Sequence, residues 1–448
     1  MQNKGKIVGY LPDERPSIGK LLFFALQQML VMFPATVLVA LLTGFHLSTT
    51  IFASGIATIG FLLITKGKLP LYYGSSFAYI PAICAVTGIT ASTVGEQASD
   101  ALISQAQFGI ICSGLISILA GIIVIKFGMK IIDKILPPTI TGSIAMIIGL
   151  SLTATAIRGA AAFDVSTGML AANSNNAWIA ALVTFFVTVL FSVYLKGVLG
   201  QLSILLGIIV GYLVAIPLGL VDFAGIMGDA IVKMPHFTFP QVNWSVALAI
   251  MPIALATIPE STAHLVQLDL YVDDLAQKKG RKSYGIKNKL GLNLIGDGAA
   301  DIISSMFGGP AGTNYGENLS TMAITRNFST AVLYVSAAMA IIVSLFTPLT
   351  NFIRTIPGPV INGACIYLFG AIAAQGVAIM IEKKVDLFNA KNLAVVASIF
   401  VIGVGGTFAF ANEGMIPVFG IELPAIATAA LFGIVLNLLL SIGEKKKK

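Results

Sequence analysis

Long apolar runs recur from one end of this chain to the other, and they restrict its fold more than any other feature. Fourteen can be counted, at about 20–43, 48–65, 71–90, 106–125, 137–155, 177–195, 201–220, 246–266, 290–307, 315–330, 331–349, 358–380, 392–410 and 422–442. A segment of about 20 apolar residues matches the hydrocarbon thickness of a bilayer. In lipid, each backbone N–H and C=O must be satisfied within its own segment, which selects helices. Only 10% of the 448 residues are charged, against about 25% in soluble domains, so most of the surface must face lipid. The expectation is an all-α integral membrane protein with 14 transmembrane spans.

The loop charges give the orientation. With the N-terminus placed in the cytoplasm, 24 of the 27 Lys and Arg residues fall in inner segments, and only Arg158, Lys233 and Arg354 fall outside. That is the positive-inside asymmetry. An even number of spans then puts both termini in the cytoplasm, in a multi-pass protein of the inner or plasma membrane. Trp178 and Trp244 stand where outer loops enter spans, as interfacial aromatics do. The net charge of +7 is thus topological. Its natural contact is acidic phospholipid, and nucleic acid is not expected as a partner. The first apolar span is expected to act as its own insertion signal. Cys84, Cys112 and Cys365 each lie alone in apolar runs, so they read as packing residues, with neither a disulfide framework nor a metal site.

The two halves echo one another. The third run opens Tyr72-Tyr73-Gly74-Ser75-Ser76-Phe77 and the tenth Asn314-Tyr315-Gly316-Glu317, each placing Tyr-Gly at the head of a short, interrupted segment. Phe33-Pro34-Ala35-Thr36 in the first run likewise echoes Ile258-Pro259-Glu260-Ser261 in the eighth. Pairing 1 with 8 and 3 with 10 gives a repeat of seven, and an odd number of crossings inverts the second copy. Inverted repeats with matched broken helices point to a transport site near the midplane.

Four carboxylates, Glu260, Asp297, Asp301 and Glu317, lie inside apolar runs. A charge at the bilayer centre costs about 2.5–3.5 kcal/mol even on the lenient insertion scale, so each must face a cavity, a partner or a proton. Glu260 and His264 are four apart, on one face of a helix, and His264 is the histidine placed at membrane depth. They read as a ligand-binding and proton-sensing pair, or as a helix-end ion pair with no part in transport. Glu317 follows the break in the tenth run and should face the Ser75-Ser76-Phe77 break if the repeat holds. Two carboxylates with free backbone N–H groups suit a neutral planar ligand bearing alternating N–H donors and C=O acceptors. Asp297 and Asp301, also four apart, read as an interhelical hydrogen-bonding pair, with a second proton or cation site as the sharper alternative. Arg326 ends the tenth run and snorkels.

At these residues the sequence resembles the uracil permease branch of the nucleobase–ascorbate transporters. The resemblance rests on Asn314-Tyr315-Gly316-Glu317-Asn318 with Met322-Ala323-Ile324-Thr325-Arg326, on Gly74-Ser75-Ser76-Phe77-Ala78-Tyr79, and on Met32-Phe33 with Ala35-Thr36-Val37-Leu38-Val39. It implies a seven-plus-seven inverted repeat with broken spans 3 and 10. A core domain at 20–135 and 246–350 would move against a gate domain at 136–222 and 356–442. It further implies that Glu260 and Glu317 hydrogen-bond the base and that the backbone amides of Phe77 and Gly316 meet its carbonyls. Tyr315 and Ala35 would pack on the ring, His264 would tune Glu260, and two chains would form a homodimer through their gate domains. Pro34 stands where a small residue is usual. Ser261 is purine-like, His264 and Glu317 are uracil-like, and Ala263 replaces a usual Gly.

The function expected is secondary active import of uracil by proton symport, with no cofactor besides the coupling ion, proton or else sodium. A xanthine or purine permease of the same family is the near alternative. An anion exchanger on the same fold would want a cation where Glu317 stands. A membrane-embedded enzyme would need a metal cluster or a nucleophile–base pair, and neither HExxH nor GxSxG occurs. A passive channel is a further option, though the buried titratable pair favours coupling to protons.

Overall fold

A computed structural model describes residues 9–128, 135–164, 167–223, 230–410, 414–418 and 421–442. Each of the fourteen apolar runs contains one main helix. In chain order these are α1 (Ile18–Thr43), α2 (Leu47–Ile64), α3 (Phe77–Thr87), α4 (Asp100–Phe127), α5 (Pro138–Ala160), α6 (Ser174–Tyr194) and α7 (Ser203–Ala215). The second half holds α8 (Trp244–Lys278), α9 (Leu290–Met306), α10 (Gly316–Thr325), α11 (Thr330–Ser344), α12 (Gly358–Glu382), α13 (Ala390–Phe408) and α14 (Ala425–Ser441). Among the described residues, eight of them are long and apolar enough to cross a membrane: α1, α2, α4, α5, α6, α8, α12 and α13. Four more are apolar but shorter, namely α3, α7, α11 and α14.

The departures from the expected limits have local causes. α8 runs well past 266 to Lys278, continuing beyond the apolar run as a polar helix that carries Asp269, Asp273 and Asp274. α3 and α10 begin late, because the residues ahead of them are extended. Tyr73–Ser75 and Gly312–Asn314 form two short strands that pair antiparallel, with Tyr73 opposite Asn314 and Ser75 opposite Gly312. Pro34 and Pro259 sit inside α1 and α8, where each removes a backbone donor.

Glycine sets the closest helix contacts. α9 packs most heavily on α4. A Cβ on Gly298 would collide with the Gly114 carbonyl oxygen, and one on Gly121 would stand 2.6 Å from that of Gly291. α5 meets α12 in the same way, where a Cβ on Gly142 would lie 2.8 Å from the Gly376 oxygen. Small residues let backbones approach in this manner, and in lipid such van der Waals contact drives helix association. The other main pairings are α6 with α7 and α12, α2 with α9, and α11 with α1 and α2.

At one end of the molecule the N-terminal segment is tied to the basic loop after α8. Lys279 Nζ lies 2.5 Å from Glu14, and Arg281 Nη2 lies 3.0 Å from Asp13. Tyr284 donates its hydroxyl to Asp13. Tyr10 exchanges backbone bonds with the turn after α10, donating to Arg326 O at 2.8 Å and accepting from Phe328 N at 2.8 Å. Partial burial opposes ionisation of Asp13 and Glu14. Hydrogen bonds from Tyr284 and Arg281 to Asp13, and from Lys279 to Glu14, outweigh it and hold both carboxyls below the ordinary range. Partial burial, followed by its bond to Asp13, pushes the Tyr284 phenol up to about 12.

Candidate functional site

The broken segments of the two halves meet at the paired strands. Beyond the ladder, Ser76 N–H donates to Ala311 O and Tyr315 N–H to Tyr72 O, both at 2.9 Å. α2 fixes the pair from one side, where Ser54 and Thr58 donate their hydroxyls to Tyr73 O at 3.1 and 2.8 Å. Because the pairing is antiparallel, α3 leaves the pair at its Ser75–Gly312 end and α10 at its Tyr73–Asn314 end. The first N–H groups of a helix have no intrahelical acceptor, and the helix end carries partial positive charge. Each end of the strand pair thus carries one such helix start.

Glu317 lies in the first turn of α10 and is half-buried. Glu260, on α8, is accessible, and the two carboxyl groups are close enough to feel each other's charge. His264, one turn along α8, aims its ring at the start of α10. A Cβ on Gly316 would stand 2.8 Å from its Nε2, so only glycine leaves room there. The His264 Nδ1 is buried without a hydrogen-bond partner among the described residues. Phe77 is half-buried at the start of α3. Tyr315 is buried, its hydroxyl shares a 2.9 Å hydrogen bond with Thr36 of α1, and its ring covers Gly74. Ala35 sits half-buried beside Thr36. The structure thus brings Glu260, His264, Gly316 and Glu317 together, with Tyr315 binding α1 to the strand pair.

Asp297 and Asp301 lie behind the strands. Asp297 accepts from Ser261 of α8 and from Asn314 Nδ2 at 2.9 Å. Asn293 donates to Ser261 Oγ at 2.6 Å. Asp301 accepts from the Tyr73 hydroxyl at 2.5 Å and from Gly312 N–H at 2.8 Å. A water-sized cavity between the two aspartates is also lined by Ser117, Thr257 and Thr313. Sequence reasoning gave Tyr73, Asn293 and Asn314 no role. One signal was available for Asn293, since Asn293, Asp297 and Asp301 recur every four residues and share a face of α9.

Residues 19–412 match the permease family Xan_ur_permease. The chain belongs to that family. It is therefore a multi-pass membrane transporter and not an enzyme. It is 35% identical over 435 residues to the uracil permease of Bacillus caldolyticus, covering 96% of this chain and 94% of that one. It is 34% identical over 439 residues to the putative pyrimidine permease RutG of Escherichia coli, covering 96% and 91%. Among solved structures, the transmembrane domain of the cyanobacterial bicarbonate transporter BicA matches with a TM-score of 0.60 at 14% identity, over 96% of this chain and all of that one. Murine Slc26a9, an anion transporter seen facing inward, matches with a TM-score of 0.64 at 12% identity, over 98% of this chain and 70% of that one. At these identities the structural likeness concerns the fold alone.

Proposed function

We propose that the chain imports uracil by proton symport across the cell membrane. The observation that carries this reading is the meeting of α8 and α10, where His264, one turn from Glu260, lies against Gly316 beside Glu317, next to the strand pair that leads into both broken helices. Carboxylates accept from ring N–H groups, and helix-start N–H groups donate to ring carbonyls, which is the pattern of a cyclic imide. The uracil permease likeness over nearly the whole chain supports the same base. An anion would be repelled by both carboxylates, so anion transport of the kind named for the structural neighbours is disfavoured.

In this reading Glu260 carries the coupling proton, and His264 bears on it from one turn away. The Asp297–Asp301 pair is the second ion position, for a proton or for sodium. The fourteen helices are fourteen crossings with both termini in the cytoplasm. α1–α4 with α8–α11 form a core, and α5–α7 with α12–α14 form a gate. The close pairings of α4 with α9 and of α5 with α12 support that division. Two chains associate through their gates as a homodimer.

The test is uptake of labelled uracil into cells lacking their own uracil transport, with excess unlabelled xanthine or a protonophore in parallel. Uptake that survives xanthine and collapses with the protonophore is expected. Uptake erased by xanthine would make the protein a purine permease. Glu317→Gln should lose nearly all uptake while still folding and inserting, and wild-type uptake by that variant would remove Glu317 from the site.

A further inference from the structure

Two of the chain's three histidines meet far from the transport site. His46 immediately precedes α2, Asp100 is the first residue of α4, and His236 lies in the extended segment that leads into α8. His46 Nε2 is 2.9 Å from Asp100 Oδ1, and His236 Nε2 is 2.8 Å from Asp100 Oδ2. The two imidazole rings stand 4.3 Å apart, centre to centre. Three distant parts of the sequence therefore deliver two imidazoles and one carboxylate to one spot, with their ligand atoms all within 4.8 Å of one another.

We propose that His46, Asp100 and His236 form a binding site for a divalent transition metal ion, Zn²⁺ in the first instance. Imidazole nitrogen and carboxylate oxygen are the donors such ions take, at about 2.0–2.2 Å. Donors on one ion stand roughly 3 Å apart at those bond lengths, close to the spacing already present between each Nε2 and its carboxylate oxygen. Three protein ligands leave a coordination position for water or a further donor, as in open zinc sites.

The surroundings prepare the ligands. Asp100 sits in the first turn of α4, where the helix end favours negative charge. Thr49 of α2 donates to His236 O at 2.6 Å, which fixes the backbone of that residue beside His46. The interplay of Phe52, Phe237 and Phe307 packs the same segment against α2 and α9. His236 and Asp100 have side chains 56% and 55% exposed, against 12% for His46, so an ion can arrive from water. The Arg354 guanidinium acts on His46 and opposes a bound cation. The ion would clamp α2, α4 and the segment entering α8 to one another at the end of the molecule away from the basic loop.

The experiment uses the full chain in detergent, purified without a histidine tag and stripped of metal. Zn²⁺ alone, and Co²⁺ as a spectroscopic substitute, are titrated in the absence of any nucleobase. One saturable equivalent per chain, with Co²⁺ absorption bands of nitrogen and oxygen ligation and a raised melting midpoint, is expected. His236→Ala, at an exposed position where folding is not at risk, should weaken binding at least about tenfold, the lower range of loss even for residues behind a metal ligand. Asp100→Asn should weaken it likewise. Equal Zn²⁺ affinity in His236→Ala and the parent, or no saturable binding by the parent, overturns the proposal.

Discussion

Tyr73→Phe removes one oxygen atom and tests how the strand pair is anchored. The hydroxyl donates to Asp301 Oδ1 at 2.5 Å, and both residues are buried. Phenylalanine keeps the ring, so no cavity is created. What is lost is a single hydrogen bond, leaving Asp301 Oδ1 with the Gly312 N–H at 2.8 Å. A bond between neutral groups contributes about 1 kcal/mol, and one to an ionised group about 1.5–3 kcal/mol. The size of the loss therefore also reports whether Asp301 carries charge in the resting protein. The assay is reversible unfolding in mixed micelles, for Tyr73→Phe, Asp301→Asn and the double variant. If the bond is what couples them, the two losses should be non-additive by about 0.5–3 kcal/mol. Additivity to within about 0.3–0.5 kcal/mol, the behaviour of independent sites, would refute the anchoring argument, and the strand pair would owe its place to its backbone bonds and to Ser54 and Thr58.

Glu260→Gln should bind uracil but lose its accumulation against a gradient, read as counterflow that persists while protonophore-sensitive uptake disappears. Retained accumulation that a protonophore still collapses would mean the proton is carried elsewhere. Gly298→Ala pushes a methyl group into the Gly114 carbonyl and should cost about 1–3 kcal/mol, seen as a lowered melting midpoint; an unchanged midpoint would mean α4 and α9 separate freely. The N-terminal clamp should respond to acid. Asp13 and Glu14 are held below their ordinary values of 3.8 and 4.5, so their contribution is present above those values and fades as pH falls through the lower folded ones. A spin label on the 9–16 segment should be immobile at neutral pH and mobile in strong acid. Unchanged mobility across that range would place the clamp's strength in the Tyr10 backbone bonds.

Much of this arrangement was legible from residues alone. The Tyr-Gly dipeptides marked both broken segments, because they recur at equivalent runs of the two halves. The four intramembrane carboxylates stood out against a chain with 10% charge. The strand pairing itself could not be read, since three residues of extended backbone leave no periodic signal and the partner lies in the other half of the chain. For the same reason the Tyr73–Asp301 bond, across 228 residues of sequence, was hidden. Asn314 was visible as part of a motif, but its bridging of Ser261 and Asp297 depends on how three segments are placed in space. His46 and His236 read as loop residues, and nothing local indicates that both reach Asp100.

The strand pair has a consequence for how the protein is made. One strand comes from each half, so when the Tyr73–Ser75 segment leaves the ribosome its partner does not yet exist. Unpaired extended backbone is not tolerated against lipid. Until the Gly312–Asn314 segment has been synthesised, the first half must keep that stretch in water, against other protein, or outside the bilayer. The second half is thus delivered to a membrane already holding an incomplete neighbour. The strand pair can form only after the Gly312–Asn314 segment has been synthesised, so neither half completes it by itself.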